Sequence, residues 1–192
     1  MVKVAMIRHG EPDYSFFNPP RYVGFGKEVG PLSSKGIEQA KAVANDPRLN
    51  GANKIVVSPF TRALHTAIII NKKLNLDIEI QPGLHEWLPD DPYLFTCNED
   101  YAQPNVDFMK YNGEKHPLGT YNYETLQEVF DRAYESLLPY VSYDKIIVVC
   151  HGVLMKAFEF REKTIDYCGI ITFDFDESRV LSDNEKGGVN NG

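Results

Sequence analysis

Cysteine is scarce in this chain, and its cysteines do not form pairs in the sequence. The 192 residues contain three of them, Cys97, Cys150 and Cys168. An odd count without short paired spacing argues against both a disulfide framework and a zinc ribbon. We therefore expect three free thiols.

Long apolar runs are also missing, since no stretch approaches the length of a membrane-spanning helix. The N-terminus enters the run VKVAMI at once, without the basic region, apolar core and small-residue cleavage site of a secretory signal. A hydrophobic share of 43% with 24% charged residues is typical of a soluble globular protein. These features predict a cytoplasmic protein that does not bind membranes.

Basic residues are fewer than acidic ones in this chain. The chain has 20 Lys and Arg against 27 Asp and Glu, which gives a formal net charge of -7. Because phosphate contacts along a nucleic acid require a basic face, we expect no nucleic-acid partner. An anionic ligand would need positive charge concentrated at one place, so the position of each arginine is informative.

Apolar runs rich in β-branched residues alternate with helical patterns. The predicted strands are Val2–Ile7, Lys54–Val57, Ile78–Ile80 and Lys145–Cys150, and the predicted helices are Ser34–Asn45, Pro59–Leu74 and Glu124–Tyr140. This alternation predicts an α/β fold, a three-layer sandwich whose mostly parallel central sheet is flanked by helices. Ser58 is the predicted cap of the second helix, with Pro59 at its first position.

The length favours one domain, which we assign to residues 1–176. Residues 88–122 carry several prolines and aromatics without a sustained period, so they are interpreted as an inserted lid that includes a short helix. Residues Ile165–Phe175 are predicted to form a hairpin or an edge strand. Residues 177–192 are predicted to be a polar C-terminal tail.

Polar residues follow the end of each predicted strand. These residues are Arg8, His9 and Gly10 after the first strand, Ser58 and Arg62 after the second, His85 and Glu86 after the third, and His151 and Gly152 after the fourth. Because ligands of open α/β sheets bind at the carboxyl ends of the strands, these four segments are expected to converge on one pocket.

The pocket is predicted to bind a phosphoryl group. Arg62 lies in the first turn of its predicted helix, where a cation opposes the helix dipole at a cost of about 0.3–1 kcal/mol. An anion between Arg62 and other donors would explain that position. Arg8 and Arg62 can each offer a planar fork to phosphate oxygens, and Gly152 would let backbone N–H groups approach an anion at a helix N-terminus.

Six segments in order resemble the histidine phosphatase superfamily, in its phosphoglycerate-mutase-like branch. They are RHGE from Arg8, GPLSSKGIEQA from Gly30, SPFTRALHTA from Ser58, GLHEW from Gly83, YETLQEVFDR from Tyr123 and VVCHGVLMKAF from Val148. The resemblance implies that His9 attacks phosphorus and carries the phosphoryl group. It further implies that Arg8, Arg62 and His151 hold the phosphoryl oxygens and that Glu86 protonates the leaving oxygen.

The chain departs from the family pattern in two places. Phe16 stands where the family usually has asparagine, and Asn18 two positions later is the candidate replacement. His85 stands where arginine is common before the acid. Arg21 and Tyr22 are predicted to border the entrance of the pocket.

Some carboxylates and histidines near these motifs keep competing interpretations. Glu11 and Asp13 lie close in sequence to His9, so they remain alternatives to Glu86 as the acid. His65 and His116 are interpreted as a structural residue and a lid residue. No metal is expected, because the two arginines beside the histidines would repel a cation, and no cofactor is implied.

The sequence therefore predicts a phosphatase that hydrolyses a small phosphorylated metabolite through a covalent phosphohistidine. A phosphoglycerate mutase using the same site is one alternative. A catalytically weak protein that binds a phosphorylated ligand is another. The sequence indicates neither the natural substrate nor the oligomeric state.

Overall fold

The computed structural model describes residues 1–15, 24–90, 98–119, 121–158 and 165–178. Within these ranges strands and α-helices alternate along most of the chain. The strands are β1 (Val2–Arg8), β2 (Lys54–Val57), β3 (Asp77–Ile80), β4 (Lys145–Cys150) and β5 (Ile170–Phe175). The helices are α1 (Ser34–Val43), α2 (Thr61–Leu74), α3 (Asn98–Lys110), α4 (Leu126–Leu137) and α5 (Gly152–Phe158).

The strands form one sheet in the order β3-β2-β4-β1-β5. The β1–β4, β2–β4 and β2–β3 pairs are parallel, and β5 runs antiparallel to β1 at one edge. The predicted mostly parallel sheet is therefore confirmed, as is the edge strand near the C-terminus. Arg8 lies opposite Cys150 and Val57 lies opposite Val149, so the carboxyl ends of β1, β2 and β4 are level.

Two hydrophobic cores lie on opposite faces of the sheet. Alternate residues of β1 point to different faces, with Val4 and Met6 in one core and Ala5 and Ile7 in the other. The first core is completed by residues of α4 and α5, and the second by residues of α1 and α2. This arrangement is the predicted three-layer sandwich.

The ends of the helices follow local capping chemistry. Thr125 caps α4 and exchanges hydrogen bonds with Glu128, so the helix begins at Leu126 rather than at the predicted Glu124. It ends at Leu137, and a 3-10 turn covers Leu138–Tyr140, because Pro139 has no backbone N–H to donate to the preceding turn of the helix.

The predicted start of α2 is wrong. The helix begins at Thr61, and Phe60 occupies the capping position without a side-chain hydrogen bond. The hydroxyl of Ser58 lies within hydrogen-bond distance of His151 and accepts from the backbone N–H of Phe60. Ser58 therefore contacts His151 and does not cap α2.

The predicted lid contains a helix longer than expected. Helix α3 spans 13 residues despite an internal proline at Pro104. Phe108 of this helix packs against Trp87 and Tyr123, with ring centroids 4.8 and 6.1 Å apart. Aromatic side chains therefore join α3 to the segment that follows β3.

Neither Cys150 nor Cys168 forms a disulfide, as expected, and Cys97 lies outside the described residues. In the described ranges, every helix is too short or too polar to cross a membrane.

Candidate active site

The ends of β1, β2 and β4 bring the predicted residues together. The backbone N–H of His9 donates to Cys150 (2.9 Å), and that of Ser58 donates to Val149 (3.1 Å). The imidazole rings of His9 and His151 are 5.2 Å apart between centroids. The sheet therefore places both histidines in one buried cluster.

His9 has each ring nitrogen in a defined contact. Nδ1 lies 2.7 Å from the carbonyl oxygen of Gly10, to which it donates, and Nε2 accepts from Nε of Arg62 at 3.2 Å. Burial and the positive charges of Arg62 and Arg8 outweigh the bond to Gly10 and lower the pKa of His9 to about 3. The ring is therefore neutral at physiological pH, with its lone pair on Nε2.

Close backbone packing holds the segment after His9. A Cβ on Gly10 would lie 2.6 Å from the carbonyl oxygen of Gly36, and a Cβ on Gly36 would overlap the backbone of Glu11. The N–H of Gly10 donates to the buried hydroxyl of Thr66 (3.0 Å), which itself donates to the carbonyl of Arg62 (2.8 Å). Helices α1 and α2 thus fix the position of Gly10.

Arg62 lies in the first turn of α2 and is buried. Its Nη1 forms an ion pair with Glu28, whose side chain is also buried. Burial alone would lower the pKa of Arg62, but the charge of Glu28, with smaller contributions from Tyr14 and Glu86, raises it. The sequence predicts an anion beside Arg62, and in the structure the carboxylate of Glu28 is such an anion.

Sequence reasoning missed Glu28. It lies in a 3-10 helix, Gly24–Val29, whose sequence has no periodic pattern of hydrophobic residues that would predict a helix. The position of Arg62 in the first turn of a helix indicates that an anion lies nearby. It does not indicate which carboxylate of the chain supplies the negative charge.

Arg8 approaches the site from the end of β1. Its Nη1 donates to the carbonyl of Ile165 (2.5 Å), and its guanidinium carbon lies 4.2 Å from the ring centroid of Tyr167. Nε of Arg8 is buried and has no hydrogen-bond partner among the described residues. A Cβ on Gly152 would lie 3.3 Å from that Nε, so the glycine leaves room for the guanidinium. Tyr167 was not identified from the sequence.

His151 is completely buried at the end of β4. Its Nε2 lies 2.7 Å from the hydroxyl of Ser58, which accepts from Phe60 and can therefore donate to this nitrogen. With Ser58 as the donor the ring proton would lie on Nδ1, which has no partner among the described residues. Burial, followed by the charges of Arg62 and His9, holds the pKa of His151 well below its usual value.

The carboxylate of Glu86 faces the start of α5. Oε1 accepts from the backbone N–H groups of Trp87 (3.0 Å) and Leu154 (3.3 Å), and Oε2 accepts from Val153 (3.4 Å). The amides that follow His151 and Gly152 thus bind a side chain of the protein. Glu86 is thereby placed next to the His151 segment.

Glu11 and Asp13, the alternative acids, have local partners. Lys35 and Ser33 hydrogen-bond to the carboxylate of Glu11 and lower its pKa. Asp13 accepts from the backbone N–H of Ser15 (2.8 Å). Both carboxylates therefore have contacts that do not involve the histidine pair.

The other two candidate histidines also contact backbone. Nδ1 of His65 accepts from Leu32 (3.3 Å), and Nδ1 of His116 accepts from Leu118 (3.0 Å). The contact of His65 joins α2 to the segment before α1, and that of His116 lies within the lid.

Phe16, Asn18, Arg21 and Tyr22 lie outside the described residues. Over the residues that the structure does describe, no group of three or more His, Cys, Asp or Glu side chains is arranged to hold a metal ion.

Comparison with known proteins identifies the family. The sequence pattern of the histidine phosphatase superfamily (branch 1) matches residues 4–179. The Bacillus subtilis protein named uncharacterized phosphatase PhoE is 29% identical, with 82% of this chain and 75% of that protein covered. The Escherichia fergusonii protein named probable phosphoglycerate mutase GpmB is 29% identical, with 95% of this chain and 89% of that protein covered.

Solved structures show the same fold. A mycobacterial glucosyl-3-phosphoglycerate phosphatase superposes with a TM-score of 0.69 at 19% identity, covering 89% of each chain. A putative alpha-ribazole-5'-P phosphatase from Escherichia coli superposes with a TM-score of 0.65 at 23% identity, covering 92% of this chain and 91% of the other. With its sequence matched over nearly its whole length and its fold shared with these phosphatases, the chain belongs to branch 1 of the histidine phosphatase superfamily.

Proposed function

We propose that this protein is a metal-independent phosphatase that hydrolyses a small phosphomonoester through a covalent phosphohistidine at His9. One observation carries the proposal. Nδ1 of His9 donates to the carbonyl of Gly10, while Nε2 is unprotonated and accepts from Nε of Arg62, a hydrogen bond that the new bond to phosphorus would replace. A neutral imidazole with a fixed tautomer is the form that can attack phosphorus.

The groups around His9 suit a phosphoryl dianion. Arg62 uses Nε for His9 and Nη1 for Glu28, so Nη2 is the nitrogen that would bind a phosphoryl oxygen. Nε of Arg8 and Nδ1–H of His151 are buried donors without described partners, and they would bind the remaining oxygens. Preorganised donors of this kind stabilise the charge of the transition state without reorganisation.

The reaction would take place in two steps. In the first, Nε2 of His9 forms a bond to phosphorus while the phosphorus–oxygen bond to the leaving group breaks, and protonated Glu86 gives its proton to the leaving oxygen. In the second, Glu86 takes a proton from water as that water attacks phosphorus. The phosphorus–nitrogen bond then breaks, its electron pair returns to Nε2, and inorganic phosphate leaves.

Other members of the predicted substrate site belong to the same proposal. The backbone at Gly152 would border the phosphoryl group, because Arg8 lies against this glycine. Asn18, Arg21 and Tyr22 are proposed to contact the rest of the substrate. No cofactor is required, and the proposed partner is a small phosphorylated metabolite.

The relatives support hydrolysis and keep mutase activity as the second candidate. PhoE is named a phosphatase, whereas GpmB, which matches over more of the chain, is named a probable phosphoglycerate mutase. Both reactions need the same phosphohistidine, but a mutase must exclude water from it. Isomerisation of 3-phosphoglycerate that is faster than its hydrolysis would select the mutase.

The test is hydrolysis of p-nitrophenyl phosphate in the presence of EDTA. We expect turnover that vanadate blocks and that His9→Ala abolishes, with His116→Ala as the matched control in the lid. Incubation with a labelled substrate followed by rapid quenching should trap label that acid releases and alkali does not, as expected of a phosphorus–nitrogen bond. Full activity of His9→Ala would overturn the proposal, and phosphate binding without turnover by the wild type would favour the binding-protein alternative.

A further inference from the structure

Arg132 of α4 contacts the backbone of Glu86 and of the residues just before it. All five N–H donors of its guanidinium have partners. Nη1 donates to the carbonyls of Gly83 (2.7 Å) and His85 (2.8 Å), and Nη2 donates to the carbonyl of Glu86 (3.3 Å). The guanidinium therefore binds the backbone of the segment that carries the proposed acid, while the acid's carboxylate points elsewhere.

Glu124 completes the arrangement from the other side. Its carboxylate accepts Nε (2.7 Å) and Nη2 (2.9 Å) of Arg132 in a paired geometry, and it also accepts the backbone N–H of Leu88 (2.8 Å). Its own backbone donates to Leu88 (3.0 Å) and accepts the indole N–H of Trp87 (2.7 Å). The residues just after Glu86 are thus bound to Glu124.

A close approach at Gly83 brings this segment against α4. A Cβ at this position would overlap the hydroxyl of Ser136 and would lie 2.7 Å from the carbonyl oxygen of Arg132. The Arg132–Glu124 pair is itself mostly buried, with 17% and 13% of the two side chains exposed. Breaking such a pair leaves an uncompensated buried charge, so separating the two side chains is costly.

We propose that Arg132, oriented by Glu124, is a positioning residue for Glu86 in proton transfer to the leaving group. This inference rests on the proposed role of Glu86 as the acid. Among the described residues the hydrogen bonds to the carboxylate of Glu86 come from backbone N–H groups, and its location follows the backbone of residues 85–87, where Arg132 binds two carbonyls. A displacement of about 1 Å at a reacting group can cost roughly 100-fold in rate.

The test compares two substrates in a single enzyme preparation. An aryl phosphate with a good leaving group needs little protonation, whereas an alkyl phosphate such as glycerol 2-phosphate depends on the acid. We expect Arg132→Lys, which keeps the charge but supplies fewer donors, to lower the alkyl-to-aryl ratio of kcat by about tenfold or more. The ratio does not depend on the folded fraction, so loss of stability alone would not change it.

A double-mutant cycle shows whether Arg132 acts through Glu86. Arg132→Lys added to Glu86→Gln should cost alkyl phosphate hydrolysis little more than Glu86→Gln alone, because the group that Arg132 positions is already lost. Glu128→Gln is the matched control, since it weakens the cap of the same helix without touching the Glu86 segment. That variant should leave the ratio unchanged.

The outcomes separate this inference from the proposed function. Equal losses on both substrates in Arg132→Lys, or additive losses in the cycle, would overturn the positioning role even when His9→Ala is inactive. An unchanged ratio in Glu86→Gln would overturn it too, by removing the acid. The phosphohistidine mechanism itself is tested separately, by the activity of His9→Ala and by turnover of the wild type.

Discussion

The guanidinium of Arg62 bridges Glu28 and His9: Nη1 donates to the carboxylate of Glu28 and Nε donates to the imidazole of His9. The ion pair therefore fixes the edge of the guanidinium that reaches the proposed nucleophile. A phosphoryl dianion entering the site would add negative charge near a carboxylate that is already there. Glu28 thus stabilises the buried charge of Arg62 in the free protein and repels the negative charge of a bound phosphoryl group.

Replacing Glu28 should change stability and phosphate binding in opposite directions. Glu28→Ala leaves a buried arginine without its partner, so the free energy of unfolding should fall by about 3–5 kcal/mol. Inorganic phosphate should then raise the melting temperature of this variant more than that of the wild type, because the ligand replaces the missing charge. Thermal unfolding with and without phosphate measures both effects.

The exposed Lys41–Glu38 pair provides the control for that experiment. Glu38→Ala should cost no more than about 1 kcal/mol, because solvent screens an exposed pair. It should also leave the phosphate effect at its wild-type size. A smaller phosphate effect in Glu28→Ala than in the wild type would contradict the opposing role of Glu28.

His9 should make stability depend on pH in the acid range. Its pKa is about 3 in the folded protein and about 6.5 in an unfolded chain. Between these values the unfolded state binds more protons, so the free energy of unfolding falls as the pH falls, by up to about 1.4 kcal/mol per pH unit. His9→Gln should flatten the curve between pH 6.5 and 3, and denaturant unfolding at several pH values would show it. Parallel curves for the two proteins would be inconsistent with a buried neutral His9.

The sheet and its strand ends were predictable from the sequence because both depend on local pattern. Strands β2 and β4 have the predicted bounds, since continuous apolar runs mark fully buried strands. Once those strands are parallel, the residues after them must lie at the same edge. The convergence of His9, Arg62 and His151 follows from that topology.

The contacts that support the site were not predictable in this way. Glu28 and Arg62 are 34 residues apart, and Glu86 and Arg132 are separated by 46. Such pairs depend on how helices and turns pack in three dimensions, for which hydrophobic periodicity carries no signal. The start of α2 was wrong for a related reason, because the hydroxyl of Ser58 has a distant partner that competes with helix capping.

Ser58→Ala should reduce turnover by fixing His151 less well. The hydroxyl accepts from Phe60 and lies 2.7 Å from Nε2 of His151, and by donating to that nitrogen it would keep the ring proton on Nδ1 for the phosphoryl group. Without it, either nitrogen can carry the proton, and we expect kcat for p-nitrophenyl phosphate to fall by roughly tenfold to 100-fold. Ser142→Ala, at an exposed position, is the control. Equal kcat values for these two variants would rule out tautomer control by Ser58.

Gly36→Ala should affect both stability and catalysis, although the position lies outside the proposed site. A Cβ there would overlap the backbone of Glu11, so either α1 or the segment after His9 must move. Overpacking of this kind typically costs 1–3 kcal/mol, which exceeds the gain of about 1 kcal/mol from alanine in a helix. Because the Gly10 carbonyl holds Nδ1 of His9, the shift should also lower kcat. Ser34→Ala, exposed on the same helix, should change neither quantity by much. A Gly36→Ala protein with wild-type melting temperature and kcat would show that the backbone contact does not constrain His9.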